Sequence, residues 1–487
     1  MVLLEKYEVI AENIKVIVNI EKNIYETKYF VKIPLISKIS SILVSELKRR
    51  LILEVNLGNL EILDPNIMKM IKDRFKASAN KVLNDIIPNI DNETKEFLIG
   101  NLMNDMLGLG NLEFLLSDIN LEEVVIVSAN EPIRVYHKKY GWLETNIKVE
   151  SETQIINYAN IIARRVGRQI TTLSPLLDAH LISGDRSNAV LYPIAHKGNT
   201  ITIRKFARDP WTVTDFITNN TCPSEIFALI WLAIQYEMNI LISGGTASGK
   251  TSFLNVIMPF IPPNHRIVSI EDTPELQLPK FLYWTPLTVR PPNTEGKGEI
   301  SMIDLLVNSL RMRPDRIIMG EIRKGDQAEV LFEAMHTGHS VYATVHADSI
   351  SETIKRLTNP PINISQNLLS AVNLNVVMFR DRRKGIRRIY QIGEYISGEE
   401  GSEVRPNILY RMKPNEDKIV EHSPSLRLFD DLSVHTGMSQ QEIINDLFEK
   451  EKILKFMAKN NIRELNKVGE LINRYYANPD DILKNEK

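Results

Sequence analysis

The chain has 487 residues, of which 43% are hydrophobic and 25% are charged, and its formal net charge is −2. This length predicts two or three domains, and the composition is that of an ordinary soluble globular protein. The near-neutral charge gives no reason to expect a nucleic-acid partner. A single cysteine, Cys222, excludes an internal disulfide framework and a cysteine-rich zinc site.

No segment of the sequence predicts a membrane span. The longest apolar run covers residues 226–234, which is too short to cross a bilayer and predicts a buried helix instead. Glu5 and Glu8 occur where a secretory signal would carry its apolar core. We therefore expect a cytoplasmic protein, peripheral at the inner face of the cell membrane, that reaches the membrane through partners.

The first part of the chain predicts two regions. Residues 1–105 begin with strand-like alternation, as at 29–33, and continue with helical periodicity, and their role is uncertain. Residues 106–208 predict an N-terminal α/β domain with an irregular stretch between its helix and its last strand. The strands and the helix of this domain are expected at 123–127, 133–136, 152–166 and 200–204.

The rest of the chain predicts a linker at 209–221, a nucleotide-binding domain at 222–400 and a C-terminal extension at 401–487. In the extension, strand-like pieces precede helices, and a capping box at 439–442 predicts the start of a helix that ends near 460. A local basic cluster, at 382–384 and 387–388, is interpreted as a solvated strand–turn edge.

A phosphate-binding loop is the most specific motif. A short apolar run at 239–243 predicts a buried parallel strand, helical periodicity follows at 251–258, and G-x-x-x-x-G-K-T lies at the junction. Glycines let backbone N–H groups point at phosphates, Lys250 can reach the β and γ phosphates, and the Thr251 hydroxyl can ligate Mg²⁺. The candidate nucleotide-binding residues are Gly244, Gly245, Thr246, Ala247, Ser248, Gly249, Lys250, Thr251 and Ser252.

A second candidate element follows the apolar strand at 266–270. The strand ends in the carboxylate pair Glu271 and Asp272, followed by a proline turn. A carboxylate at the end of a strand beside a phosphate loop can orient or deprotonate the attacking water. The alternative is an acidic turn without a catalytic role.

A third element resembles a Walker B strand. The apolar residues 316–319 are followed by Gly320, where the usual Mg²⁺-side Asp would stand, and then by Glu321. Glu321 would act on the metal-bound or attacking water. The alternative is a buried strand that ends in a surface salt bridge between Glu321 and Arg323.

A fourth element is a strand flanked by two histidines, His339 and His346. In a parallel sheet, ligands collect at the carboxyl ends of strands, so His346 could sense the γ phosphate. A lone histidine is more often structural, and two with no third ligand make a weak metal site.

Together and in this order, the four elements resemble those of the secretion ATPase superfamily, which powers type II and type IV secretion, type IV pili and the archaellum. In that family they are the Walker A motif, the Asp box, the Walker B with Gly-Glu and the His box. Residues 107–116 look like its entry into the N-terminal domain. Three further segments look like its arginine-bearing strands, at 178–181, 184–189 and 202–206.

The resemblance implies an α/β fold in which the N-terminal α/β module precedes a RecA-like P-loop ATPase core and a helical C-terminal tail. It also implies a homohexameric ATPase that uses ATP and Mg²⁺. Glu271 would activate water and Glu321 would organise it, while Arg186 and Arg204 would reach the phosphates from the N-terminal module. The partners would be a polytopic membrane platform protein and a pilin-like filament system, and no nucleic acid is expected.

Departures from the family pattern indicate which branch of the family this sequence resembles. Bacterial pilus-extension and type II members usually carry a four-cysteine zinc finger, which a single cysteine excludes here. Residues 271–276 and 310–316 look closer to the archaeal pilus and archaellum ATPases. Pilus assembly and archaellum rotation stay open as alternatives.

Two rival functions share parts of this pattern. A RecA-like nucleic-acid motor has the same core, but near-neutral charge and the lack of a long basic stripe argue against it. A small-molecule kinase would lack the histidine element and would not need a chain of this length.

Overall fold

The computed structural model of the chain describes residues 2–34, 44–51, 65–181, 184–206, 210–292, 296–398 and 403–479. The chain divides into two compact units, residues 1–208 and residues 209–487. Sheets and helices occur in both, so the expected α/β class is confirmed.

The first unit is built on a nine-stranded sheet with the order β1-β2-β3-β6-β5-β4-β9-β8-β7. Its strands are β1 (Val2–Ala11), β2 (Ile14–Lys22), β3 (Thr27–Lys32), β4 (Leu121–Ile126), β5 (Arg134–His137), β6 (Gly141–Thr145), β7 (Leu176–His180), β8 (Arg186–Val190) and β9 (Thr200–Arg204). Its helices are α1 (44–51), α2 (Pro65–Ile86), α3 (Asn92–Met106), α4 (Leu112–Ser117) and α5 (Glu152–Arg165).

The N-terminal strands belong to the same sheet as the later ones. β3 pairs in parallel with β6, where Lys28 and Tyr29 face Glu144 and Thr145. The buried carboxylate of Asp118 accepts hydrogen bonds from the hydroxyl of Tyr29 at 2.6 Å and from that of Tyr7 at 2.7 Å. Strands β1 to β3, from a segment to which the sequence patterns assigned no role, are therefore part of this sheet.

Helix α5 shows why the sequence folds as predicted there. The Ser151 hydroxyl accepts a hydrogen bond from the backbone N–H of Gln154 and caps the first turn. The buried residues recur at helical spacing along one face, so the helix is amphipathic. They are Ile155, Tyr158, Ala159, Ile162 and Ala163.

The expected irregular stretch after α5 is wrong, because it contains strands β7 and β8. In β7 the inward residues are Leu177 and Ala179, while Leu176 is exposed. Because the exposed Leu176 stands beside the buried Leu177, the alternation that marks a half-buried strand is hidden in the sequence. The resemblance to arginine-bearing strands gave the better prediction at these positions.

The second unit contains another nine-stranded sheet, ordered β12-β11-β13-β14-β10-β15-β16-β17-β18. Its strands are β10 (Ile240–Gly244), β11 (Arg266–Glu271), β12 (Tyr283–Thr288), β13 (Arg316–Met319), β14 (Ser340–Val345), β15 (Leu374–Asp381), β16 (Ile386–Ser397), β17 (Val404–Lys413) and β18 (Lys418–Glu421). Its helices are α6 (Val213–Thr218), α7 (Ser224–Gln235), α8 (Lys250–Ile257), α9 (Met302–Ser309), α10 (Gly325–His336), α11 (Ile350–Thr358), α12 (Leu428–Thr436), α13 (Gln440–Lys459) and α14 (Leu465–Ala477).

Strands β10 to β15 of this sheet run parallel, and β16 to β18 extend it antiparallel. Every residue of β10, β13 and β14 is buried, as expected of parallel strands covered on both faces. Because β10 lies between β14 and β15, the loop that leaves its carboxyl end starts near the middle of the sheet.

The apolar run at 226–234 forms the buried helix predicted for it, within α7. Trp231 of this helix stacks on Phe260, with ring centroids 5.2 Å apart. The Trp231 indole donates to the hydroxyl of Tyr476 at 2.8 Å, and that hydroxyl donates to the carbonyl of Phe260 at 2.5 Å. The C-terminal helix α14 is thus attached to the segment that follows α8.

Across the described parts of the chain, no helix combines the length and apolarity needed to cross a membrane.

Candidate active site

The phosphate loop has the backbone shape that its sequence predicts. Gly249 precedes α8 with a φ of 95°, and Ala247 takes the left-handed conformation with a φ of 59°. A positive φ is strained for alanine but accessible to glycine. The loop therefore curls over the N-terminus of α8, where backbone N–H groups favour an anion.

Side chains are excluded where the loop starts. A Cβ at Gly244 would lie 2.5 Å from the Ser248 hydroxyl oxygen and 2.6 Å from the carbonyl oxygen of Met378. A Cβ at Gly245 would lie 2.6 Å from Oδ1 of Asp348. The backbone carbonyl of Met378 and a φ of 152° therefore require glycine at Gly244, whereas at Gly245 a side chain would displace the carboxylate of Asp348.

Lys250 points its ammonium group back into the loop. Its Nζ donates to the carbonyl oxygens of Gly244 at 2.9 Å and Gly245 at 3.0 Å. Burial lowers the pKa of Lys250, while the negative charges of Glu321 and Asp348 act in the opposite direction. A cation, two nearby carboxylates and a curled backbone therefore share one small region.

The residues fit a Mg²⁺–nucleotide complex. Thr251 lies in the first turn of α8, and its hydroxyl makes no protein hydrogen bond within the described part of the chain. This hydroxyl could ligate Mg²⁺ beside the phosphates held by the loop.

Glu271 ends β11 and is only 3% exposed. Its Oε1 accepts hydrogen bonds from the backbone N–H groups of Glu275 at 2.9 Å and Leu276 at 3.1 Å. Burial raises the pKa of Glu271 to about 7, although these two hydrogen bonds oppose the shift. One carboxylate oxygen therefore fixes the turn, and the other can accept a proton near neutral pH.

Glu321 follows β13 and takes part in a three-residue charge cluster. Arg323 donates from Nε to Oε2 of Glu321 at 2.8 Å and from Nη1 to Oδ2 of Asp272 at 2.8 Å. A Cβ on Gly320 would lie 3.7 Å from Cα of Glu271, so the carboxyl ends of β11 and β13 are adjacent. The salt bridge between Glu321 and Arg323, which was the alternative to a catalytic role for Glu321, is present, and Arg323 also connects the two carboxylate-bearing turns.

His346 contacts the phosphate loop directly. Its Nε2 lies 2.9 Å from Oγ1 of Thr246, and the histidine is exposed at the end of β14. His339 lies at the opposite end of β14, with Nδ1 3.3 Å from the carbonyl oxygen of Ala334. Among the residues described, no three His, Cys, Asp or Glu side chains are grouped to hold a metal, and these two histidines are not grouped either.

The other two candidate residues, Arg186 and Arg204, lie in the first unit. They are register partners on the neighbouring strands β8 and β9. Arg186 forms an exposed ion pair with Asp178, with Nη2 and Oδ2 2.9 Å apart. Their proposed action on the phosphates stays a prediction.

Two residues at the loop were missed by sequence reasoning. Asp348, which packs against Gly245, follows His346 by two residues, and this position at a strand end was the available signal. The second is Arg387 of β16, whose Nε donates to the carbonyl oxygen of Ala247 at 3.3 Å. The basic cluster lies at a strand–turn edge with residues 382–384 exposed, as interpreted, but Arg387 also contacts the loop because β16 pairs with β15.

Comparisons with known proteins give a matching family model, sequence relatives and similar solved structures. The model of the type II/IV secretion system protein family matches residues 121–383. The uncharacterized protein MJ0900 of Methanocaldococcus jannaschii is 35% identical over 412 residues, 82% of this chain and 72% of that protein. The type IV secretion system protein PtlH of Bordetella pertussis is 30% identical over 307 residues, 55% of this chain and 88% of that protein. The solved VirB11 ATPase from the Brucella suis type IV secretion system, in complex with sulphate, is 26% identical, covers 57% of this chain and 90% of its own, and has a TM-score of 0.30.

Proposed function

Because this chain belongs to the type II/IV secretion system protein family, we propose that it is an ATP-hydrolysing motor that powers the assembly of a type IV pilus-like filament or archaellum, or secretion through a membrane platform protein. The working form is a homohexamer, peripheral at the inner face of the cell membrane. This assembly state and the platform partner follow from the family resemblance.

One observation carries the ATPase proposal. Lys250 begins the helix after the phosphate loop, the carboxyl ends of neighbouring parallel strands bring Glu321 and His346 to the same loop, and Glu271 ends the strand beside that of Glu321. A phosphate loop alone would bind a nucleotide. Carboxylates at strand ends beside it supply the groups that hydrolysis needs.

Each residue then has a defined task. The loop and Lys250 hold the β and γ phosphates, and bound Mg²⁺, held at Thr251, would neutralise charge that develops on them. The free oxygen of Glu271 accepts the proton of the attacking water, and Glu321 orients that water. His346 reports the presence of the γ phosphate through its contact with Thr246.

The test is steady-state phosphate release by the purified chain with MgATP. We expect Mg²⁺-dependent hydrolysis that double-stranded and single-stranded DNA do not stimulate, and light scattering in the presence of nucleotide should give the mass of a hexamer. A rate that DNA stimulates and that falls steeply with salt would instead support a nucleic-acid motor. An absence of hydrolysis would contradict the proposal.

We extend the proposal to Arg186 and Arg204. Replacing either with alanine should lower the turnover number at least about tenfold while changing nucleotide affinity little, because a guanidinium stabilises charge mainly in the phosphoryl-transfer transition state. Lysine should substitute poorly, because it lacks the planar fork of the guanidinium. Stopped-assay kinetics and a nucleotide titration measure the two effects separately.

Arg134→Ala, which removes an exposed arginine from β5 of the same sheet, is the matched control. The alternative is that Arg186 has no role in hydrolysis and only forms its exposed ion pair with Asp178. Such a pair contributes about 0–1 kcal/mol of stability. If Arg186→Ala and Arg204→Ala both keep turnover within a few-fold of the unsubstituted chain, the arginines have no role in hydrolysis.

A further inference from the structure

Arg387 lies across the phosphate loop although it comes from a different part of the chain. It is the second residue of β16, which forms an antiparallel hairpin with β15. Its Nε donates to the carbonyl oxygen of Ala247 at 3.3 Å. Its Cδ lies 3.2 Å from the position that a Cβ on Gly249 would occupy. The side chain therefore uses the space that glycine leaves open at the start of α8.

Within the described ranges, no carboxylate forms an ion pair with the guanidinium of Arg387, and the contact with Ala247 is the one hydrogen bond that this side chain makes. The next residue, Arg388, behaves differently, since it forms two hydrogen bonds with the carboxylate of Asp417. The two adjacent arginines of β16 thus have opposite surroundings, one neutralised and one directed at the loop.

The surroundings of Arg387 can hold an anion. The N-terminus of α8 carries a partial positive charge, and the Lys250 ammonium group, which contacts the carbonyl oxygens of Gly244 and Gly245, adds a full charge at the same loop. Arg387 brings a further positive charge to this loop from β16. A phosphate held by the loop could accept charge-assisted hydrogen bonds from the guanidinium, which arginine forms especially well with phosphate.

The sheet order indicates which phosphate Arg387 reaches. Glu271, Glu321 and His346 lie at the carboxyl ends of β11, β13 and β14, on one side of the central strand β10, whereas Arg387 approaches from the β15–β16 side. If the γ phosphate faces the carboxylates, the nucleoside end of the triphosphate faces the opposite side. We propose that Arg387 binds the α phosphate of the nucleotide held by the loop. This inference rests on the proposed ATPase function.

Replacing Arg387 with alanine should weaken the binding of MgATP and MgADP by the same factor, about tenfold or more, because both nucleotides carry the α phosphate. In turnover, the effect should fall on KM rather than on kcat, since the α phosphate is not the group transferred. Arg387→Lys should recover part of the affinity. Isothermal titration with each nucleotide, paired with steady-state kinetics, gives both quantities.

Arg383→Ala is the control for loss of charge, since Arg383 is exposed in the same hairpin turn and does not contact the loop. It should bind both nucleotides as the unsubstituted chain does, and melting curves should show that all variants are folded. Equal affinity of Arg387→Ala and the unsubstituted chain for both nucleotides would overturn the inference while the ATPase proposal stands. A loss for MgATP alone would assign Arg387 to the γ phosphate and also overturn it. If the unsubstituted chain binds neither nucleotide, the proposed function fails and this inference with it.

Discussion

Replacing Lys250 with alanine should reduce ATP hydrolysis to the background rate while the chain stays folded. The ammonium group lies within hydrogen-bond distance of two loop carbonyls, so it is already held where the β and γ phosphates would bind. Alanine removes this charge without adding bulk. The loop loses two hydrogen bonds from the ammonium group but keeps the backbone hydrogen bonds from Ser248 to Gly245 and from Phe253 to Gly249 that shape the turn.

The measurement is phosphate release at saturating MgATP, accompanied by thermal melting. Lys355→Ala, at an exposed position of α11, changes the net charge equally and should hydrolyse ATP normally. A Lys250→Ala chain that melts normally and turns over at the unsubstituted rate would show that hydrolysis does not occur at this loop.

Glu271→Gln should give a chain that binds ATP but turns it over roughly 10²–10⁴-fold more slowly, the usual contribution of a general base. Glutamine keeps the size of the side chain, and its amide oxygen can still accept the N–H groups of Glu275 and Leu276. The turn therefore persists while the proton acceptor is lost. Glu321→Gln should also impair turnover if Glu321 positions the water. If Glu271→Gln hydrolyses ATP at the unsubstituted rate, the base is Glu321 or another group.

The pH profile separates a base from a structural carboxylate. Glu271 acts as a base only when it is ionised, and burial raises its pKa to about 7. Turnover should therefore rise as the pH increases through about 7 and then level off, and this rise should be absent in Glu271→Gln. Glu275→Gln keeps the backbone N–H that binds Glu271 but removes a negative charge that raises the pKa of Glu271. The midpoint of the pH profile should therefore move to lower pH. An unmoved midpoint would mean that the titration belongs to another group.

Local patterns predicted the strand ends that build the site. Glu271, Glu321 and His346 each follow an apolar run that forms a buried parallel strand, and parallel strands place their carboxyl ends at one edge. The phosphate loop could be predicted from the sequence because the spacing of its glycines and its lysine constrains the backbone directly. For these residues, a few neighbours in the sequence are enough to predict both the type of side chain and its place in the sheet.

The remaining contacts depend on pairing between distant segments. Arg387 reaches Ala247 across 140 residues, because β16 joins the sheet beside β15 and β15 joins it beside β10. A charged residue in a hairpin has the same sequence signature whether it is solvated or lies over a loop. The same limit applies at Asp118, which accepts from Tyr7 across 111 residues. Periodicity carries no information about such partners.

The parallel pairing of β3 with β6 affects how the first unit folds during synthesis. β1, β2 and β3 form a local meander that can pair as soon as residue 32 is available, but Lys28 meets its partner Glu144 only 116 residues later. During synthesis from the N-terminus, the outer edge of β3 therefore stays unpaired while more than a hundred residues are added. An open edge beside an apolar face is a template for association with other chains. Fragments that end before β6 should therefore aggregate, and the earliest stopping point for a soluble N-terminal piece lies beyond residue 145.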